Sequence, residues 1–231
     1  MFWLKQMNYK IFHPNKDVDC EIELPSSKSI SNRVLIIRAL SKEKFKIDNL
    51  SDSDDTNALK INLKKIENII DIGASGTTFR FLTAYLACKE GVDCIITGSD
   101  RIQNRPIDQL VNTLNNLGAD ISYVKKNNFA PLRIRGKKIN GGDATINGNI
   151  SSQFISSLIL IAPSLKSGLN LKIKKEIVSK PYVDMTLSLL NYFGVKHEWK
   201  NNIISIKPQN YIAKDITVES DWSSAAFWLQ I

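Results

Sequence analysis

Several groups of residues in this sequence are of types suited to handling anions. Lys28 sits in a Ser-rich turn, and Ser29 and Arg33, four apart, share one face if the run that follows is helical. Gly76 and Arg80 are also four apart, so Arg80 would project from the first turn of a second helix. Ser151, Ser152 and Gln153 place two hydroxyls and an amide at the start of a third. Arg101 and Arg105 stand in a loop ahead of Pro106, and Arg105 could form a bidentate pair with a carboxylate or phosphate. Ser179, Lys180 and Tyr182 bring a hydroxyl, an ammonium and a phenol around Pro181. A helix start exposes N–H groups with no internal partner, and the dipole adds positive charge there, so anions bind readily. One such turn alone is most simply a Ser N-cap. Cations beside several of them are harder to explain, because Lys and Arg oppose the dipole at a helix start unless an anion compensates.

Other chemistries find little support. There is no G-x-x-x-x-G-K-[ST] run and no G-x-G-x-x-G after a strand. His13 and His197 are the only histidines, so neither a His-rich metal site nor a Ser-His-Asp set can be assembled. Asp52, Asp54 and Asp55 read as acids at a helix N-terminus rather than as metal ligands. Trp222 and Trp228 are expected in the core.

The elements that position these groups form a weak repeat. A short strand, a Ser- or Gly-rich turn and an apolar helix recur three times. The copies are Glu21–Leu24 with Ile30–Leu40, Ile70–Ile72 with Phe79–Ala87, and Ala144–Ile146 with Phe154–Ala162. A second helix type opens on Pro and closes on Gly. Pro106 leads to Leu110, Leu114, Leu117 and then Gly118, whereas Pro181 leads to Leu187, Leu190, Phe193 and then Gly194. A degenerate third copy begins at Ser53. Strand-rich stretches follow the clear copies, at Ala119–Val124 with Pro131–Arg135 and at Lys196–Lys207. Alternating strands and helices imply an α/β fold. Helices apolar around most of their circumference belong inside. The expectation is three similar units, helices inside and sheets outside.

Composition sets the outer limits. The 231 residues correspond to one large domain or one and a half. A hydrophobic share of 43% excludes a disordered chain. Lys and Arg total 31 against 23 Asp and Glu, a net charge of +8, which favours anionic partners without choosing among them. Cys20, Cys88 and Cys94 form no Cys-x-x-Cys pair and imply a reducing compartment. No apolar run approaches a membrane span, and the start lacks the apolar core of a signal peptide. The protein is expected to be cytoplasmic.

At this level of detail the residues resemble a known family. Leu24-Pro25-Ser26-Ser27-Lys28-Ser29-Ile30-Ser31-Asn32-Arg33 is similar to the L-P-G-S-K-S-x-S-N-R motif of the enolpyruvylshikimate-phosphate synthases (3-phosphoshikimate 1-carboxyvinyltransferases), within the enolpyruvyl transferase family. Gly76-Thr77-Thr78-Phe79-Arg80, Arg105-Pro106-Ile107, Ser151-Ser152-Gln153-Phe154, Val178-Ser179-Lys180-Pro181-Tyr182 and Glu219-Ser220-Asp221-Trp222 match later motifs in order. The resemblance implies transfer of the enolpyruvyl group of phosphoenolpyruvate to 3-phosphoshikimate, on the route to chorismate and the aromatic amino acids. It implies no metal and no organic cofactor. It also implies a two-domain fold, each domain an inside-out barrel of three βαβαββ-type units. Carried over by motif, Lys28, Ser29, Arg33, Ser151, Ser152, Gln153, Ser179 and Tyr182 would bind 3-phosphoshikimate. Lys28, Gly76, Arg105 and Gln153 would bind phosphoenolpyruvate.

The sequence departs from the family pattern at Ser26, Ala74 and Phe81, where the family often has Gly, Asn and Pro. The stretch from Asp55 to Gly73 is short, so the first unit is expected to lack a strand pair. Residues 1–16 are expected to form a strand of a second domain, 17–213 the amino-terminal domain, and 214–231 a crossover. The chain stops inside the apolar run Ala225–Leu229, so an amino-terminal part is expected. It would hold half the binding site, with the acid/base groups beyond Ile231, and be inactive alone. The expected form is a monomer binding small molecules, not nucleic acid or membrane. One rival is the sister UDP-N-acetylglucosamine enolpyruvyl transferase, which carries a reactive Cys before the Arg-Pro helix; Asp100–Asn104 has none. The other is a non-catalytic basic nucleic-acid-binding module, which would show clustered cations and aromatics rather than dispersed ones.

Overall fold

The computed structural model of the chain describes residues 19–229. The strand expected over residues 1–16 lies outside them. Two units share one topology. The first of these runs β2 (Ile69–Asp71), α3 (Gly76–Cys88), β3 (Asp93–Thr97), a short α4 (Asp100–Gln103), α5 (Asp108–Asn116), β4 (Ile121–Tyr123) and β5 (Leu132–Arg135). The next runs β6 (Gly142–Asn147), α6 (Ser152–Ile161), β7 (Leu169–Lys174), α7 (Lys180–Tyr192), β8 (His197–Lys200) and β9 (Ile203–Ile206). Their four-stranded sheets have orders β2-β3-β5-β4 and β6-β7-β9-β8. In each, the first pair is parallel and the other two pairs are antiparallel. This is the βαβαββ unit, seen twice.

The unit that precedes them is reduced. It contains α1 (Lys28–Leu40), β1 (Ile47–Asp48) and α2 (Asp54–Lys64). α2 is followed at once by β2, so the strand pair that closes the other units is missing, as the short Asp55–Gly73 stretch suggested. The strand expected over Glu21–Leu24 does not form either. Only Ser26 makes an isolated bridge, to Ser220. Among the described residues no strand lies beside it, and an alternating pattern without a partner is not enough to hold an extended segment in a sheet. β1 instead pairs in parallel with β10 (Ile216–Thr217), near the far end of the described chain.

The repeat has local causes. α1 and α6 begin on Ser27 and Ser151, whose hydroxyls accept from Ile30 N and Gln153 N. α5 and α7 end on Gly118 and Gly194, at φ +108° and +79°, a left-handed conformation that a side chain disfavours. In both, the following amide (Ala119, Val195) bonds back to Leu114 or Leu190. Pro181 opens α7, but Pro106 stands two residues ahead of α5, which starts at Asp108.

Helices lie inside and sheets outside. α3 is buried from Thr78 to Ala87 and α6 from Phe154 to Ile161. The strands alternate instead: β7 buries Leu169, Leu171 and Ile173 and exposes the residues between them. α3 packs on α6, α6 on α7, and α1 touches all three. The α/β architecture expected from the sequence is therefore present as separate two-, four- and four-stranded sheets. α8 (Trp222–Trp228) follows β10. Trp222 and Trp228, expected in the core, are 73% and 51% exposed, because only Ala225 of that helix is buried.

Candidate functional site

The interior packing brings the starts of α1, α3, α6 and α7 towards one another. Lys28 opens α1, and its ammonium lies 3.5 Å from the carboxylate of Asp55 on α2. The other oxygen of Asp55 accepts from Thr77 N, in the first turn of α3, at 3.1 Å. Gln153, at the start of α6, donates through Nε2 to Thr77 Oγ1 at 3.1 Å. Its Oε1 is buried with no partner among the described residues. These contacts tie the starts of α1, α2, α3 and α6 into one surface.

Gly76 has two guanidinium groups against it. A Cβ built on Gly76 would stand 2.6 Å from Arg105 Nη1 and 3.3 Å from Arg80 Nη1. Arg80 is 3% exposed and donates to Gly76 O at 2.9 Å, while its Nε has no partner among the described residues. Burial, and then the neighbouring charge of Arg105, bring Arg80 down to about 10, with Asp55 acting in the opposite direction. Arg80 therefore stays charged at neutral pH. Two adjacent cations at a helix N-terminus repel each other and the dipole alike. An anion placed over Gly76 would relieve both repulsions.

Arg33 lies deeper than its spacing from Ser29 predicts. It is 2% exposed and holds α1 to α6 and α7. Nε donates to Thr186 Oγ1 at 2.7 Å, Nη1 to Ser29 O at 2.7 Å, and Nη2 to Ser156 Oγ at 3.1 Å and Tyr182 O at 3.2 Å. Burial lowers it to about 10.

The remaining residues of the expected site divide into two sets. Ser151 caps α6, and Ser152 is buried directly behind it. Ser179 is exposed, has φ +62° and makes no side-chain cap bond to α7. Tyr182 is 37% exposed, with its ring over Arg33. Lys180, also exposed, is paired with Asp184 at 2.9 Å rather than free.

Sequence reasoning missed three participants. Asp55 was expected only as an acid in the first turn of α2, which it is. Its reach to Lys28 and Thr77 depends on how α2 packs on α1 and α3, and no local signal carries that. Ser156 and Thr186 read as ordinary helix residues, although both bond to Arg33 from the core.

A family model described as EPSP synthase (3-phosphoshikimate 1-carboxyvinyltransferase) matches residues 12–67 and 57–231. This chain belongs to the EPSP synthase family. A 3-phosphoshikimate 1-carboxyvinyltransferase of Bacteroides fragilis is 49% identical over 226 residues, which cover 97% of this chain and 55% of that protein. One of Shewanella piezotolerans is 37% identical over 253 residues, covering 96% and 59%. The solved EPSP synthase from Acinetobacter baumannii matches with a TM-score of 0.77 at 22% identity, over 90% of this chain and 52% of that one. The fold is thus that of EPSP synthase structures, and the chain spans about half the length of the curated relatives it matches.

The three departures from the EPSP synthase motifs have distinct surroundings. Ser26 donates to Asn49 Oδ1 at 2.8 Å. Ala74 is exposed in the turn before α3. Phe81 is buried on α3, against Arg33.

Proposed function

We propose that this chain supplies the amino-terminal half of a 3-phosphoshikimate 1-carboxyvinyltransferase site. Ser29, Arg33, Ser151, Ser152, Gln153, Ser179 and Tyr182 face 3-phosphoshikimate. Gly76, Arg105 and Gln153 face phosphoenolpyruvate, and Lys28 lies between the two. The observation that carries this reading is the pair of guanidinium groups converging on Gly76 at the start of α3, beside the unpartnered Gln153 Oε1. The gap left by the missing side chain admits an anion close to the backbone. Two polyanions repel in water, and fixed cations with helix starts offset that repulsion while holding the reacting groups in register. The transferase moves the enolpyruvyl group onto a hydroxyl of 3-phosphoshikimate and releases inorganic phosphate. Charge placement and positioning are this half's contribution, so the chain alone is expected to bind and not to turn over. The reading also carries a monomer in a reducing, cytoplasmic setting. The cysteines Cys20, Cys88 and Cys94 are all free, and burial pushes Cys88 up to about 12 and Cys94 up to about 11, leaving both unreactive.

Calorimetric titration of 3-phosphoshikimate tests this. Binding is expected, and Lys28→Met should weaken it by about tenfold or more, the scale of a charge-assisted hydrogen bond. Binding of UDP-N-acetylglucosamine in place of 3-phosphoshikimate would favour the sister transferase. Binding of DNA that falls steeply with salt, with no response to either small molecule, would favour the basic module.

A further inference from the structure

Arg33 is a buried cation without a carboxylate. All four of its acceptors, Thr186 Oγ1, Ser29 O, Ser156 Oγ and Tyr182 O, are neutral. Among the described residues no Asp or Glu comes within ion-pair distance of it. A guanidinium carries five N–H donors, so one Nη1 hydrogen is left over. Its charge is faced instead by two aromatic rings. The Phe81 centroid lies 5.4 Å from Arg33 Cζ and the Tyr182 centroid 5.9 Å from it. Both are within the roughly 6 Å reach of a cation–π contact, which is strongest where water is excluded. Phe81 is only 1% exposed, so its contact is the desolvated one, while Tyr182 stands at the outer edge.

We propose that Phe81 is a positioning residue for the anionic ligand. Its ring face holds the Arg33 guanidinium where a carboxylate would otherwise do so, and leaves the last Nη1 hydrogen and the unneutralised charge to the ligand. The inference rests on the reading of Arg33 as a 3-phosphoshikimate contact, and deepens it. The choice of ring over carboxylate has a physical consequence. A carboxylate beside Arg33 would stabilise the cation but compete with the incoming anion. A ring stabilises it through the quadrupole and offers no competing negative charge. The neutral Thr186 and Ser156 hydroxyls fix the plane of the guanidinium, and Phe81 on α3 fixes its height against the helix. Arg33 is thereby oriented by α1, α3, α6 and α7 together.

Two substitutions separate the ring from the packing. Phe81→Tyr keeps the ring face but buries a hydroxyl, whereas Phe81→Leu keeps an apolar side chain and removes the ring. Both should lower the melting temperature of the 231-residue chain. Affinity for 3-phosphoshikimate, measured by titration, is expected to stay within about twofold in Phe81→Tyr and to fall about fivefold in Phe81→Leu. In an Arg33→Met background, adding Phe81→Leu should leave the remaining affinity unchanged. Affinity that follows the melting temperatures instead of the ring, or an equal loss in the Arg33→Met background, overturns the proposal. The Arg33 Nε–H proton resonance supplies a readout that needs no ligand. It should be shifted upfield by the ring in the parent chain and in Phe81→Tyr, and return downfield in Phe81→Leu. If 3-phosphoshikimate fails to bind while this resonance moves as described, the functional reading fails and the role of Phe81 in holding Arg33 stands. A resonance that Phe81→Leu leaves in place refutes that role.

Discussion

Gly76 shows how one missing side chain would open the centre of the proposed site. Its backbone is ordinary helix, so Ala there meets no φ penalty, and at the first helical position it gains less than it would in a helix interior. The added Cβ would nevertheless stand 2.6 Å from Arg105 Nη1. That atom is the far end of an exposed, flexible side chain, so it will move aside. Arg80 is held by its bond to Gly76 O and has less freedom. Gly76→Ala is therefore expected to keep or slightly raise the melting temperature. Phosphoenolpyruvate affinity should fall about fivefold or more, while 3-phosphoshikimate affinity holds within about twofold. Parallel titrations with both ligands check this. Equal losses for both, or none for phosphoenolpyruvate, would remove Gly76 and Arg105 from its site. Gly76 and Arg105 were legible in the sequence, each within its own motif. Their contact was not, because 28 intervening residues, including a whole strand and a short helix, bring them together.

At the scale of elements, two serines expected in the same role start helices in different ways. Ser151 caps α6 with its hydroxyl on Gln153 N at 3.2 Å. Ser179 precedes α7 in a left-handed conformation, φ +62°, and caps nothing. Ser151→Ala is expected to cost about 1 kcal/mol of stability as well as weakening 3-phosphoshikimate binding. Ser179→Gly removes the hydroxyl but relieves the backbone, so stability should rise by about 0.5 kcal/mol or more while binding weakens. Chemical denaturation with titration on both variants separates these outcomes. A stability loss in Ser179→Gly would mean that its hydroxyl supports the fold after all. The helices themselves were legible, because apolar residues at helical spacing mark all of α1, α3, α5, α6 and α7, with a Ser start for α1 and α6 and a Gly stop for α5 and α7. The strand expected over Glu21–Leu24 was not reliable, because alternation marks a strand only where a partner exists. The pairing of β1 with β10 carried no local signal at all.

That pairing decides how the whole molecule supports the site. The first unit lacks its own strand pair and is completed by residues about 170 positions further on. Lys46 N donates to Asp215 Oδ1 at 2.7 Å, and Ile216 N and Val218 N donate to Lys46 O and Asp48 O. Asn49 Nδ2 donates to Val218 O at 2.7 Å. Closer to the site, Ser27 N donates to Glu219 O at 2.9 Å and Asp221 N to Pro25 O at 2.8 Å. The turn that presents Lys28 and Ser29 is thus clamped by residues 219–221. α8 beyond it adds little: Trp222, Phe227, Trp228 and Leu229 are all exposed. A chain ending at residue 221 should keep its melting temperature within about 2 °C, and lose an apolar patch that favours self-association. A chain ending at 214 forfeits all six bonds and is expected to melt at least about 5 °C lower, since about 1 kcal/mol moves a domain of this size by 2–4 °C. Hydrogen exchange should then show faster amides in the first turn of α1, with those of α6 unchanged, and 3-phosphoshikimate affinity should fall with them. If both shortened chains melt alike, the strand from the far end of the chain does not hold the start of α1, and the first unit must be stable on its helices alone.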